Sequence, residues 1–343
     1  MQTLDAFFKV TSKYKRFFYL DWTQQPYTVQ WLTSRPNRVN FESNVQWRDL
    51  GLTVIICGYS LEPALANYLR LSSPGSISFL KSHLQKCIRR QLTQKAIATA
   101  WMMIQSDLNE FIRRLPIIML EDVTLCEEFS VLVWLMVAIS KNYRPTYGQI
   151  QWLLNLVSGL CQLNEVAEID DSHTETQMSI KTVIKDIDCD PLLSDTQRDL
   201  IYCLGLRIAY GGMQGDMNML LQFAKWSQRQ ICPILPKAIQ SPSSPPPVDF
   251  NLHTLIPVKL EEIEISAADF HCFPQMLNDL GELYPQYTKD ELKKCIWECS
   301  SKFNSRKNEA IEDQWQEIWT KIGDDVYEWQ QAKVNSFTFI EGI

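Results

Sequence analysis

Apolar residues recur at helical spacing between about residues 61 and 165. In the stretch 94–115 they follow one another at steps of three and four, at Ile97, Trp101, Ile104, Leu108, Phe111 and Leu115. This spacing predicts an amphipathic helix pair with one buried face. The apolar run 129–139 is too short to cross a membrane and predicts a fully buried helix.

Other parts of the chain carry different patterns. Residues 17–60 are rich in aromatic and β-branched residues, which predict short strands or irregular packed segments. Helical spacing resumes after residue 193, where Ser194 or Asp195 is expected to cap a helix. Near the C-terminus we expect Thr288 and Asp290 to cap another helix, followed by a long helix that ends near residue 334.

Two polar segments interrupt these patterns. Residues 166–180 are acidic, and we predict that they form a loop. Residues 233–250 contain six prolines, which predict a linker. We therefore predict a mainly α fold, with a helical bundle-like body and a small mixed α/β N-terminal portion. The expected divisions are a leader (1–16), a core domain (17–232), the linker (233–250) and a C-terminal helical segment (251–343).

Composition favours a protein of a reducing compartment over a secreted or membrane-spanning protein. The chain has 343 residues, a formal net charge of −7 and ten cysteines without a CxxC pair. These features predict reduced, buried thiols in a reducing compartment. No secretory signal or membrane span is expected. An acidic chain can still carry local basic patches.

The leader combines a leucine, two adjacent aromatic residues and several basic residues. Leu4, Phe7, Phe8 and Lys9 are spaced as in the sliding-clamp binding peptide, the PIP box, which this leader resembles. Met1 stands where that family has glutamine. The resemblance implies that Leu4, Phe7 and Phe8 enter a hydrophobic pocket of a PCNA-like clamp. The alternatives are a helix packed on the protein's own core and a targeting segment.

Residues 79–125 resemble the helical C-terminal region of the replication-associated recombination ATPases, relatives of the clamp loaders. The matching residues are Lys86, Ile88, Arg89, Ala96, Ala98, Trp101, Arg113, Arg114, Leu115, Glu121, Asp122, Val123 and Leu125. No G-x-x-x-x-G-K-[ST] motif is present, so the ATPase part is absent. The resemblance implies a helical scaffold without a motor.

Basic residues cluster in this same segment. Phosphate contacts with DNA are expected from Lys86, Arg89, Arg90, Lys95, Arg113 and Arg114. Alternatively, these side chains are solvated, or Arg113 and Arg114 pair with Glu121 and Asp122. A polar pocket built from Asp269, His271 and Arg306 is a further candidate. No catalytic set, metal site or cofactor is predicted.

These features predict a non-enzymatic accessory factor of DNA replication or repair. Its leader would bind the sliding clamp, and its helical body would contact DNA, replication proteins or a second copy of itself. The expected location is the nucleus or a viral replication compartment, and otherwise the cytoplasm. The alternatives are a helical interaction or structural module without a nucleic-acid role and a metal-dependent nuclease.

Overall fold

The computed structural model describes residues 15–65, 77–164, 166, 179–228, 264–307 and 310–336, without the side chains of 188, 189 and 269–273. Two compact units share the chain. Unit 1 comprises residues 1–64, 125–147 and 167–236, and unit 2 comprises residues 65–124, 148–166 and 237–343. The predicted divisions follow one another along the chain, whereas these units are interleaved. The linker 233–250 lies outside the described residues.

Four strands and ten helices occur in the described ranges. The strands are β1 (Lys15–Asp21), β2 (Val29–Leu32), β3 (Phe41–Trp47) and β4 (Leu52–Tyr59). The helices are α1 (Ile77–Arg89), α2 (Thr93–Ile118), α3 (Glu128–Ile139), α4 (Tyr147–Gln162), α5 (Ile180–Cys189), α6 (Asp195–Ala209), α7 (Gln214–Gln228), α8 (Asp269–Leu283), α9 (Lys289–Ile296) and α10 (Asp313–Asn335). The prediction of a mainly α fold with a small mixed N-terminal part is confirmed.

The sheet of unit 1 has the strand order β2-β1-β4-β3. β1 is parallel to β4, and the outer strands β2 and β3 pair antiparallel with their neighbours. β2 is therefore an edge strand. Strand alternation divides β1 between two faces, so that Phe18 and Leu20 enter the main core while Tyr19 joins a smaller cluster with Ile55 and Cys57.

Helix α3 packs on the main face of this sheet. The indole N–H of Trp134 donates to the carbonyl oxygens of Phe18, at 3.1 Å, and Cys57, at 3.0 Å. A Cβ atom at Gly58 would lie 2.6 Å from the Trp134 ring. Glycine at this position therefore lets the indole approach the strand backbone closely enough to satisfy its donor.

Unit 2 begins with a helical hairpin of α1 and α2. Five of the six residues of the predicted stripe in α2 are buried, at Ile97, Trp101, Ile104, Phe111 and Leu115, and Leu108 is half-buried. Asp107 leaves helical geometry, at φ −155° and ψ 92°, and divides α2 into two segments. The predicted helix pair therefore corresponds to the two segments of α2, which meet at a kink at Asp107.

Helix caps agree with the sequence. The Ser194 hydroxyl accepts from the backbone N–H of Gln197, and the Thr288 hydroxyl accepts from that of Glu291. Both form capping boxes, in which the third residue of the helix returns a hydrogen bond to the cap. In unit 2, α8, α9 and α10 share an apolar cluster that includes Leu280, Leu292 and Ile322.

Candidate functional site

The predicted clamp-binding residues Leu4, Phe7, Phe8 and Lys9 lie outside the described residues. The described chain begins at Lys15, which is exposed at the start of β1.

Arg89, predicted to contact phosphate, is buried in unit 2. Its side chain makes an ion pair with Asp122 and donates to the carbonyl oxygen of Ser301 at 2.7 Å. Glu121 lies 3.5 Å away on the same guanidinium. Burial and the charge of Asp122 raise the pKa of Glu121, against the opposite effects of Arg114 and Arg89.

Three more of the predicted DNA-binding side chains donate to protein groups. Arg90 pairs with Glu264 and donates to the Ser300 carbonyl at 3.0 Å. Lys86 is 3 % exposed and donates to the carbonyl oxygen of Ser266. Arg114 donates to the Gln85 side chain and lies 3.8 Å from Glu121. The two remaining residues, Lys95 and Arg113, are half-buried.

We call Arg89, Arg90 and Arg114 the arginine cluster. A phosphate that displaced these contacts would leave the carboxylates of Asp122 and Glu264 without their counter-charges. The pairing of Arg114 with Glu121 matches the structural alternative stated from the sequence. The cluster therefore acts as a structural junction, and DNA contact through it stays a prediction.

Arg306, one member of the predicted polar pocket, fastens two helix ends. Its guanidinium donates to the carbonyl oxygens of Leu163 at 2.6 Å, Ile88 at 2.8 Å and Arg89 at 3.1 Å, and also to that of Leu160. These carbonyls end α4 and α1, where helices leave acceptors without intrahelical donors. The side chains of Asp269 and His271, the other two members, lie outside the described residues.

His83 forms a buried polar network that the sequence did not reveal. Its Nε2 accepts the backbone N–H of Glu264 at 2.9 Å, so its proton lies on Nδ1, which donates to Thr99 Oγ1 at 2.7 Å. The Thr99 hydroxyl in turn donates to the Lys95 carbonyl. Burial, with the charges of Lys95 and Lys86, lowers the pKa of His83 to about 3. The neutral imidazole links the backbone of Glu264 to the side chain of Thr99.

Four of the buried thiols are poor nucleophiles. Burial raises the pKa of Cys57 to about 11 and the pKa values of Cys161, Cys203 and Cys295 to about 12. These groups stay protonated at neutral pH. Within the described ranges, no group of three or more His, Cys, Asp or Glu side chains is arranged to hold a metal ion. No helix there is long and apolar enough to span a membrane.

A small depression beside the sheet is lined by side chains that already have protein partners. It has a volume of about 250 Å³ and is lined in part by Tyr19, Asp21 and Arg38. Asp21 accepts from the backbone N–H of Thr23 at 2.9 Å and its hydroxyl at 2.6 Å, and Arg38 lies 3.7 Å away. These bonds order the turn after β1.

A larger groove, of about 1000 Å³, lies in unit 1. Its lining contains the consecutive residues 27–32, which include all of β2, and residues 194–200 at the start of α6, together with Arg16, Glu127, Ser130 and Tyr202. Because consecutive strand residues point to opposite faces, a wall made of all of them follows the edge of the strand. We call this feature the edge groove.

Charged residues at the edge groove are of both signs. Arg198 donates to Asp195 at 3.1 Å and to the Asp190 carbonyl at 2.6 Å, and the Arg16 guanidinium lies 4.7 Å over the Tyr202 ring. Burial raises the pKa of Asp199 to about 7, and Asp195 adds to this rise. A hydrogen bond from the backbone N–H of Trp31 and the charge of Arg16 oppose it.

Comparisons with known proteins give no match: no protein family, no curated protein and no solved structure corresponds to this chain.

Proposed function

We propose that this protein is a non-enzymatic accessory factor of DNA replication or repair that is tethered to a sliding clamp by its leader. The observation that carries the proposal is the spacing of Leu4, Phe7 and Phe8, followed by Lys9 and further basic residues. A few apolar anchors on a short segment supply most of the binding energy in such peptide contacts.

A tether at the leader is compatible with the described structure, whose first residue, Lys15, is exposed at the start of β1. Binding to the clamp would raise the effective concentration of the folded body at the clamp. Even a weak contact between the body and its target would then be sufficient.

For the body we propose contact with a partner protein in preference to DNA. The arginine cluster supports this choice, because its guanidinium groups already donate to Asp122, Glu264 and backbone carbonyls. The same observations favour, as a second candidate, an interaction module without a nucleic-acid role.

Calorimetric titration of a PCNA-like clamp tests the proposal. Replacing both Phe7→Ala and Phe8→Ala should weaken binding by roughly 100-fold or more, because truncated anchors each cost on the order of 2 kcal/mol. The matched control is Val10→Ala, which shortens an apolar leader residue outside the predicted anchors. Equal affinities of the double variant and the wild type would end the proposal.

A further inference from the structure

Strand β3 forms the second edge of the sheet and pairs with β4 alone. The carbonyl oxygen of Gly58 in β4 accepts the backbone N–H of Asn40 at 2.9 Å, so this carbonyl points towards β3. Gly58 is the register partner of Phe41, and antiparallel bonding alternates along a strand. Phe41 and every second residue after it therefore bond to β4. The residues whose N–H and C=O groups point away from β4 are Glu42, Asn44 and Gln46.

These outward groups leave a strand edge that can accept another strand. Within the described part of the chain, the backbone groups of Glu42, Asn44 and Gln46 that point outward have no protein partner, and the three side chains are exposed. Proteins commonly protect a sheet edge with a short strand, a lysine or a proline. β3 is seven residues long and contains neither lysine nor proline. β2, at the opposite edge, is shorter, and its Trp31 N–H is bonded to the Asp199 carboxyl.

The sequence of β3 matches a second copy of itself. If two β3 strands pair antiparallel about a two-fold axis at Asn44, Glu42 of each copy faces Gln46 of the other. This register pairs every outward residue and forms about six backbone hydrogen bonds. An axis at Glu42 would place two carboxylates opposite each other, and an axis at Gln46 would leave Glu42 beyond the paired stretch. The register centred on Asn44 is therefore the favoured one.

The side chains that meet in this register are complementary. The Gln46 Oε1 atom accepts the Thr53 hydroxyl at 3.2 Å, which leaves the amide NH2 group to donate across the axis. Glu42 of the second copy supplies a carboxylate acceptor, which its own Arg35 binds at 2.9 Å. The axis repeats this donor–acceptor pair at both ends of the strand and brings no like charges together. This self-complementarity selects a second copy over an unrelated strand.

We propose that the protein forms a two-fold dimer in which the two β3 strands pair antiparallel at Asn44 and join the two sheets into one. This inference goes beyond the proposed function, and it depends neither on the clamp nor on the arginine cluster. Backbone hydrogen bonds would supply the affinity, and the pairing of Glu42 with Gln46 would fix the register.

Sedimentation velocity of the full chain at about 1–100 µM tests the dimer. We expect the wild type to form dimers within this range. Asn44→Lys places two lysines opposite each other at the axis and should weaken dimerisation at least about tenfold. The matched control, Gln30→Lys, adds the same charge at an exposed position of β2 and should dimerise as the wild type does. A wild type that stays monomeric at about 100 µM, or equal dimerisation of Asn44→Lys, would overturn the proposal.

A second variant tests the register with the same change of charge. Gln46→Lys places a lysine opposite Glu42 of the second copy at both ends of the paired strands, and should strengthen dimerisation about two- to tenfold. A general effect of added charge would instead move Gln46→Lys and Asn44→Lys in the same direction. Weaker dimerisation of Gln46→Lys than of the wild type would overturn pairing at Asn44. Far-UV circular dichroism checks that both variants keep the fold.

Hydrogen–deuterium exchange, read by mass spectrometry, identifies the occupant of the edge. The amides of segment 41–47 should exchange more slowly at about 100 µM than at about 1 µM in the wild type, and equally at both concentrations in Asn44→Lys. The variant with Phe7→Ala and Phe8→Ala should behave as the wild type does, which separates this proposal from the clamp proposal. Slow exchange of the whole segment in a monomeric protein would show that another part of the chain covers β3, and the assignment to a second copy would be wrong.

Discussion

At the scale of single residues, the buried ionisable side chains of Arg89 and His83 are stabilised by hydrogen bonds or ion pairs with nearby protein groups. Arg89 is matched by Asp122, and His83 is held neutral between Thr99 and the backbone N–H of Glu264. Such groups cost free energy when they are buried alone, and hydrogen bonds offset that cost. A histidine or an arginine in the sequence therefore indicates polarity at a position without indicating function.

His83 makes stability depend on pH in a defined direction. Its pKa falls from 6.5 to about 3 on folding, so below pH 6.5 the unfolded chain binds a proton that the folded chain does not. The free energy of unfolding should therefore decrease as the pH falls from about 6.5 towards 3, by up to about 1.4 kcal/mol per pH unit.

Urea denaturation at several pH values measures this effect. The wild type is compared with His83→Gln, because acidic groups such as Asp199 contribute equally to both proteins and cancel in the difference. We expect the stability difference between them to shrink below pH 6.5. A difference that stays constant from pH 7 to pH 4 would contradict the neutral, buried assignment.

At the scale of elements, local signals were predictable from the sequence and long-range partners were not. The caps at Ser194 and Thr288 follow from residues three positions apart, and the helical stripe follows from spacing. Arg89 instead meets Ser301, which lies 212 positions away along the chain. The spacing of residues along the chain does not indicate contacts between such distant positions. The sequence therefore suggested that the arginine cluster could face DNA, whereas its side chains pair with protein groups.

The edge groove likewise depends on long-range contacts that the sequence pattern does not indicate. Strand-forming composition indicated strands in residues 17–60, but strand order and register decide which strand forms the edge. β2 became an edge because β1 pairs with β4 on its other side. The approach of residues 194–200 to that edge depends on tertiary packing, which the sequence pattern does not specify.

Arg306 should stabilise the fold by linking the C-terminal ends of α1 and α4. Arg306→Ala removes donors to four carbonyl oxygens and should lower the free energy of unfolding by about 2–4 kcal/mol. The matched control is Arg35→Ala, whose side chain is 58 % exposed beside Glu42 and should cost less than about 1 kcal/mol. Equal losses of unfolding free energy for the two variants in urea denaturation would contradict this role of Arg306.

At the scale of the whole molecule, we propose that the protein consists of a folded body and a leader that binds a partner. In the described body, Arg89 pairs with Asp122 and Arg90 pairs with Glu264. We propose that Phe7 and Phe8 enter a partner's pocket and that the body makes a second contact. The alternative, a leader packed on the core, makes the opposite prediction for stability.

Deleting residues 2–10 should leave thermal stability nearly unchanged. A leader that binds a partner contributes little to the folded body, so the melting temperature should shift by less than about 2 °C. Differential scanning calorimetry of the deletion variant against the full chain measures this shift. A loss of several degrees would favour the core-packed leader.

The central claim is that the leader alone carries the clamp contact. The most direct measurement is calorimetric titration of a PCNA-like clamp with a synthetic peptide of residues 1–16, beside the full chain. We predict that the peptide binds within about tenfold of the full chain, because the same three anchors serve both. Tight binding by the full chain with none by the peptide, or no binding by either, would contradict the claim.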